Sequence, residues 1–160
     1  MAQFKNYING EWVESPQANR NVNPADLSDV IGEYARADRA QAEQAIAAAS
    51  AAFPKWSMGG LQERYDILDR IGTEILARKE ELGKLLTREE GKTIAEAIGE
   101  AGRAGVIFKF FAGEVLRHGG ERLPSVRPGV EVEITREPVS LADDVHSHMH
   151  MNPGIPAHLP

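Results

Sequence analysis

The sequence predicts an α/β protein dominated by helix, with a β-hairpin before four helices and a pair of strands after them. Three observations support this. Apolar residues recur every three or four positions from Asp38 to Leu116, a spacing that keeps them on one face of a helix. Near the N-terminus, Asn9-Gly10 separates two short β-prone runs, which is a strong hairpin signal. Apolar and polar residues then alternate from Val130 to Arg136, the pattern of a strand.

The composition is that of an ordinary globular protein and excludes several classes. The chain has 160 residues, of which 42% are hydrophobic, and a net charge of -6 without a cluster of Lys and Arg, which argues against nucleic-acid binding. It contains no cysteine, so a disulfide, a thiolate metal site and a cysteine nucleophile are excluded within these residues. The first ten residues do not combine a basic segment with an apolar run, and the sequence has no run of about 18 apolar residues. We therefore expect a soluble, cytoplasmic protein that does not enter a membrane.

The first third of the chain predicts short strands and turns. Tyr7 to Val13 is the hairpin, with Asn9-Gly10 as its turn. Asn23 to Asp26 contains a proline and polar residues typical of a turn, and Val30 to Ala35 reads as the strand that follows.

Three helices are predicted between Asp38 and Gly91. Asp38 is suited to cap the first, with Gln41 three residues later, and Pro54 is expected to end it. The apolar spacing then continues from Leu61 to Gly91, and we expect it to divide into two helices near Arg78.

The fourth helix is predicted from Thr93 to Leu116. Gly91 suits the left-handed position that closes the preceding helix, and Thr93 with Glu96 has the spacing of a capping box. Three glycines lie inside the helix: Gly99, Gly102 and Gly105. Each costs roughly 1 kcal/mol relative to alanine, so we expect them to provide a smooth surface for a close neighbour. They do not lie between a strand and a helix, so they do not indicate a phosphate-binding loop.

Aromatic residues of the helical region are expected in the core rather than in a ligand platform: Trp56, Phe108, Phe110 and Phe111. After the helices, Glu121 to Val126 and Val130 to Arg136 predict two paired strands, the second with one wet face. Residues 140–160 hold four of the five histidines and have no apolar periodicity. We therefore divide the chain into an ordered part, 1–139, and a divergent tail, 140–160, that we expect to be disordered.

Five segments, taken in order, carry a resemblance to a known family: YINGEWV (7–13), VNPADLSDVIGEYARA (22–37), AIAAASAAFPKWS (45–57), REEGKTIAEAIGEAGRA (88–104) and REPV (136–139). Together they resemble the N-terminal part of the NAD(P)-dependent aldehyde dehydrogenases. Within that family, residues 21–36 and 108–135 are most similar to 2-oxoglutarate semialdehyde (2,5-dioxopentanoate) dehydrogenases.

The resemblance implies an enzyme that, at full length, oxidises an aldehyde to a carboxylic acid with NAD+ or NADP+. It implies an N-terminal hairpin, a layer of four helices that covers a parallel cofactor-binding sheet, and a last pair of strands that belongs to an oligomerisation arm. After Val139 the sequence departs from the family pattern, because Ser140 to Asp144 replaces the expected apolar strand and Pro-Trp-Asn-Phe-Pro loop. No catalytic or cofactor-binding residue of the family is matched, so we expect this chain to be inactive alone and to bind the cofactor poorly.

Two metal sites and one other function remain as alternatives. The resemblance places a monovalent cation near Val22 and Glu100. His146, His148 and His150 alternate along the tail and could bind a transition metal adventitiously. The alternative function is a non-catalytic interaction module that associates with itself through exposed apolar helix faces.

Overall fold

The structure, a computed structural model, describes residues 3–139. In chain order its elements are β1 (Gln3–Phe4), β2 (Asn6–Ile8), β3 (Glu11–Val13), β4 (Gln17–Asn23), β5 (Asp26–Arg36), α1 (Arg39–Ser57), α2 (Leu61–Ala77), α3 (Lys79–Glu90), α4 (Ile94–Leu116), β6 (Glu121–Pro124) and β7 (Glu131–Ile134). The predicted order of hairpin, four helices and strand pair is confirmed. None of the helices in residues 3–139 is a candidate membrane-spanning segment.

The N-terminal strands form a hairpin and a small sheet. Strands β2 and β3 pair antiparallel, and their turn places both Asn9 (φ 52°) and Gly10 (φ 84°) in the left-handed region, as predicted for Asn-Gly. The second sheet has the order β1-β5-β4, with β1 parallel and β4 antiparallel to β5. Strand β4 is not predicted by the sequence, since QANRNVN is almost entirely polar and lacks the apolar alternation of a half-buried strand.

Helix α1 begins as predicted and ends later than predicted. The Asp38 carboxylate accepts a hydrogen bond of 2.8 Å from the Gln41 backbone amide, which satisfies one free donor at the helix start. The expectation that Pro54 ends the helix is wrong, because α1 continues to Ser57. A proline removes only one helical hydrogen bond, the one that its backbone amide would donate to the carbonyl four residues earlier. In the last turn of a helix this loss can be tolerated, so α1 continues past Pro54.

Helices α2 and α3 are separated at Arg78, as predicted. This residue leaves helical geometry (φ -105°, ψ 13°), and its side chain donates to Glu81 at 2.7 and 2.9 Å. The left-handed end of α3 at Gly91 (φ 72°) is also confirmed.

Helix α4 has both predicted capping contacts. The Thr93 hydroxyl accepts from the Glu96 amide at 3.4 Å, and the Glu96 carboxylate accepts from the Thr93 amide at 3.3 Å. The helix packs across α2 and α3. A Cβ built on Gly105 would lie 2.7 Å from Leu76 Cγ, so this glycine does allow a close neighbour.

Gly99 and Gly102 have no such neighbour within residues 3–139, because a Cβ on either would meet nothing within 4 Å, so a close neighbour there stays a prediction. The buried positions of α4 are instead four small residues: Ala97, Ala101, Gly105 and Ala112. Aromatic side chains lie outside this narrow seam. Trp56, Phe110 and Phe111 are 47%, 59% and 55% exposed, so their predicted place in the core is wrong, while Phe108 is half-buried.

Strands β6 and β7 pair antiparallel, with Glu121 opposite Ile134 at one end and Pro124 opposite Glu131 at the other. The predicted strand pair is confirmed, and each strand is shorter than predicted. The prediction of one wet face is wrong, because the apolar Val132 and Ile134 are each 43% exposed. In residues 3–139, no helix or other strand packs extensively on this hairpin, so both of its faces meet solvent.

Candidate functional site

The predicted cation residues Val22 and Glu100 lie on separate elements. Val22 is half-buried in β4, where the register with β5 shifts, and Glu100 is exposed in α4. Lys92 Nζ lies 2.6 Å from the Glu100 carboxylate and 2.5 Å from that of Glu90. The hydrogen bond to Glu100, and then that to Glu90, raise the pKa of Lys92 above its usual value. The Lys92 ammonium therefore already neutralises Glu100, and binding of a monovalent cation near Val22 and Glu100 stays a prediction.

The histidine prediction falls outside the described part of the chain. His146, His148 and His150 all lie beyond residue 139, so the adventitious metal site stays a prediction. Within residues 3–139, no group of three histidine, cysteine or acidic side chains is arranged to hold a metal ion.

A bidentate ion pair joins the sheet to the helices. Arg88 of α3 donates from Nε and from a terminal nitrogen to the Asp29 carboxylate of β5, at 2.9 and 2.6 Å. The Asn23 amide donates to the same carboxylate at 3.2 Å. The Arg88 hydrogen bond, and then that of Asn23, hold the pKa of Asp29 below its usual value. Because paired Arg and carboxylate groups match in shape, this contact fixes the angle of β5 on α3.

A second polar contact lies on the same two elements. The Tyr34 hydroxyl of β5 donates to the Glu89 carboxylate of α3 at 2.9 Å. Burial, and then the Glu89 hydrogen bond, raise the pKa of Tyr34. An open groove of about 370 Å³ runs beside this contact, with Asn19, Arg20 and Asn21 of β4 along its other side. The sheet is therefore held on α3 at two neighbouring points.

The sequence alone does not predict these contacts, because their partners are far apart in the chain. Asp29 and Arg88 are separated by 59 residues, and Tyr34 and Glu89 by 55. The only hint in the sequence is that two oppositely charged residues, Arg88 and Glu89, stand side by side in the last turn of α3. That signal does not identify a partner.

One side of α4 remains uncovered, and we call it the open face: Gly99, Gly102, Val106 and Phe110. These residues follow helical spacing, and the side chains of Val106 and Phe110 are 58% and 59% exposed. The two glycines each lack a neighbour within 4 Å of a built Cβ. An apolar helix face that combines glycines with exposed aliphatic and aromatic side chains is suited to be covered by other polypeptide.

Residues 3–139 do not fit a nicotinamide dinucleotide. Such a cofactor binds where a glycine-rich turn links a strand to a helix start that is free to receive its phosphates. Helices α1 and α4 begin at capped ends, where Asp38 and Glu96 place carboxylates. Helix α2 follows Gly60 without a side-chain cap but has Glu63 in its first turn, and α3 has Glu80 and Glu81 in its first turn. Negative charge at these ends opposes a phosphate, so we assign no step of cofactor chemistry to this part of the chain.

Comparison with protein families identifies the fold. The family model described as "Aldehyde dehydrogenase family" matches residues 12–144, most of the chain. This chain belongs to the aldehyde dehydrogenase family. The match confirms the resemblance drawn from the five sequence segments, and it begins within the hairpin strand β3.

Named aldehyde dehydrogenase relatives share between a third and two fifths of the aligned residues. An alpha-ketoglutarate semialdehyde dehydrogenase from Haloferax volcanii is 39% identical over 140 residues, which are 86% of this chain and 29% of that protein. A malonate-semialdehyde dehydrogenase from Bacillus cereus is 37% identical over 139 residues, covering 86% and 28% of the two chains. The chain thus spans less than a third of the length of these relatives.

Solved aldehyde dehydrogenases share the fold. A betaine aldehyde dehydrogenase variant from Staphylococcus aureus, solved with NAD+, matches 84% of this chain and 28% of its own, with a TM-score of 0.75 and 33% identity. An aldehyde dehydrogenase from Brucella melitensis matches 79% and 26% of the two chains, with a TM-score of 0.72 and 30% identity. The α/β fold, expected as part of the aldehyde dehydrogenase architecture, is confirmed.

Proposed function

We propose that this chain supplies the N-terminal helical layer of an enzyme that oxidises an aldehyde to a carboxylic acid with NAD+ or NADP+. The observation that carries the proposal is the family match over residues 12–144. The structural likeness to a betaine aldehyde dehydrogenase solved with NAD+ supports it. The cofactor would be bound by parts of the enzyme outside residues 3–139.

We further propose that the substrate is a semialdehyde that bears a carboxylate. Alpha-ketoglutarate semialdehyde and malonate semialdehyde, the substrates in the names of two relatives at 39% and 37% identity, share that chemistry. Because the two identities are so close, they support the class of substrate more strongly than either member. Among the members, we favour 2-oxoglutarate semialdehyde, since the relative named for it is 39% identical, against 36% and 37% for relatives named for malonate semialdehyde.

In this enzyme the described residues have a positioning role. The Asp29–Arg88 and Tyr34–Glu89 contacts hold the small sheet on α3. The open face of α4 receives the remaining polypeptide, which the glycines allow to approach closely. The sequence holds no cysteine and therefore no thiolate nucleophile, so we propose that the 160-residue chain does not oxidise aldehydes by itself.

A chimera tests this proposal. Residues 1–139 would replace the aligned N-terminal part of the alpha-ketoglutaric semialdehyde dehydrogenase from Bacillus subtilis, a relative that is 34% identical. NAD(P)H formation would be followed with 2-oxoglutarate semialdehyde, malonate semialdehyde and betaine aldehyde. We expect activity in the chimera and none in the 160-residue chain. The substrate preference of the chimera reports the relative's active site and is not assigned to this chain. A folded chimera without activity would contradict the positioning role. The unmodified Bacillus subtilis enzyme serves as the positive control. Aldehyde oxidation by the isolated 160-residue chain would contradict the proposed inactivity.

A second candidate function is self-association without catalysis. It is favoured by the exposure of Val106 and Phe110, at 58% and 59%, on a face that no other described element covers. Two copies that join through this face would remove apolar surface from water in each. Light scattering over a range of concentrations tests it, and a monomer at every concentration with no binding of a hydrophobic dye would exclude it.

A further inference from the structure

A pocket of about 240 Å³ lies between the beginning of α2 and the end of α4. Its walls are mainly apolar: Leu61, Leu68, Phe111 and Val115. It is separate from the open face of α4, from the Asp29–Arg88 contact and from Glu100. Neither the sequence patterns nor the family match assigns it a role.

One cationic side chain, Arg64, lines this pocket and is held in place from its other side. A terminal nitrogen of Arg64 donates to the carbonyl oxygens of Trp56 and Ser57, at 2.6 and 3.2 Å. The guanidinium carbon also lies 5.2 Å from the centre of the Trp56 ring. The side chain is therefore fixed before any ligand arrives, which lowers the ordering cost of binding.

The Arg64 Nε group lacks a partner. It is shielded from solvent and donates to no acceptor in residues 3–139, one of two such side-chain atoms there. Because Nε has no exposed surface, a ligand in the pocket would be bound by the remaining N–H groups of the guanidinium, which has five such donors in all.

The other charges of the pocket leave Arg64 unneutralised. Glu114 also lines the pocket, but Arg117 donates to its carboxylate at 3.1 and 2.5 Å. His118 completes the lining and carries no negative charge. None of the ion pairs formed within the described chain includes Arg64. The pocket thus combines apolar walls with one preorganised, unpaired cation.

We propose that this pocket binds a small monocarboxylate, with the carboxylate on Arg64 and an apolar body between Leu68, Phe111 and Val115. The volume of about 240 Å³ is below the range of roughly 300 to 1,000 Å³ that holds drug-sized ligands, which suits a short aliphatic or aromatic acid. A charge-assisted hydrogen bond to a guanidinium supplies the specificity for an acid over an alcohol. This site is independent of aldehyde oxidation.

Octanoate and octanol are the probes that test the site in the full 160-residue chain. Trp56 packs on Arg64, so its fluorescence reports binding once the other tryptophan is removed by Trp12→Phe. We expect saturable quenching or enhancement with octanoate, and binding at least about tenfold weaker with octanol. Equal affinity for the two probes, or no saturable change with octanoate, would overturn the proposal.

Two matched pairs of variants locate the site. Arg64→Gln should weaken octanoate binding about tenfold and leave octanol binding unchanged, whereas Arg70→Gln on the same helix should change neither. Val115→Phe should fill the pocket and abolish binding of both probes, whereas Val106→Phe on the open face should not. Circular dichroism checks that each variant is folded. If Arg64→Gln unfolds because the end of α1 loses its contact with Arg64, the test rests on Val115→Phe. Octanoate binding that is unchanged in the Val115→Phe variant would refute the pocket.

Discussion

Replacing the buried and the open glycines of the helical layer by alanine should change stability in opposite directions. A Cβ on Gly83 would lie 2.5 Å from Ile98 Cγ1 and 2.8 Å from both Ile98 Cα and N. Backbone atoms of a packed helix cannot move aside cheaply, so overpacking here costs about 3 kcal/mol, at the upper end of the usual range. The gain in helix propensity returns about 1 kcal/mol, so Gly83→Ala should lower the unfolding free energy by about 2 kcal/mol.

The other glycines extend the series. Gly105→Ala should cost less, about 1 kcal/mol, because the two nearest atoms, at 2.7 and 3.0 Å, belong to the Leu76 side chain, which can partly move, and the backbone oxygen of Gly72 is farther, at 3.1 Å. Gly99→Ala and Gly102→Ala meet nothing within 4 Å and should each stabilise the isolated chain by up to about 1 kcal/mol. Urea unfolding at low protein concentration measures all four. For a chain of this size each kcal/mol also shifts Tm by about 2 to 4 °C. Equal effects at the buried and open positions, or a neutral Gly83→Ala, would refute the reasoning.

Three further outcomes are expected. Thr93→Ala should lower the unfolding free energy by about 1 kcal/mol through loss of the α4 cap, while Thr93→Ser retains most of it, and an unchanged urea midpoint in the alanine variant would count against the capping box. Arg88 lowers the pKa of Asp29, so their pair stabilises the fold above the unfolded aspartate pKa of about 3.9 and is lost as the pH falls through the lower folded value. The difference in urea midpoint between wild type and Asp29→Asn should therefore shrink in acid, and a difference that is constant with pH would contradict this. Phe110→Ser should raise the concentration at which light scattering detects self-association, and an unchanged threshold would exclude the open face as its cause.

Local signals in the sequence were sufficient for the helix and turn boundaries. The Asn9-Gly10 turn depends on the backbone freedom of two adjacent residues, and the Thr93 cap on a contact three residues away. Such contacts involve residues that are close in the chain and do not depend on tertiary packing, so residue type and spacing are enough to predict them. Pro54 is the exception, because the cost of one lost donor depends on how much helix follows it.

Tertiary contacts decided what the sequence could not. Strand β4 is polar, and it is a strand because β5 lies beside it. The large aromatic residues of α4 were expected inside, but α2 and α3 approach so closely that the buried positions of α4 are alanines and a glycine, and Phe110 is left outside. At the candidate cation site, the spacing of the sequence gave no indication that Lys92 would pair with Glu100. Family resemblance supplied the fold, while the partners of Arg88 and Glu89 required the structure.

We propose above that the rest of an aldehyde dehydrogenase packs on the open face of α4. The most direct test is Gly102→Leu, introduced both into the isolated chain and into the chimera with the Bacillus subtilis relative. In the isolated chain a side chain at this position meets open space, so we expect no loss of stability. In the chimera the same side chain would collide with the covering polypeptide, and we predict loss of most of the activity together with a lower Tm. Full activity and an unchanged Tm in the Gly102→Leu chimera would contradict the claim.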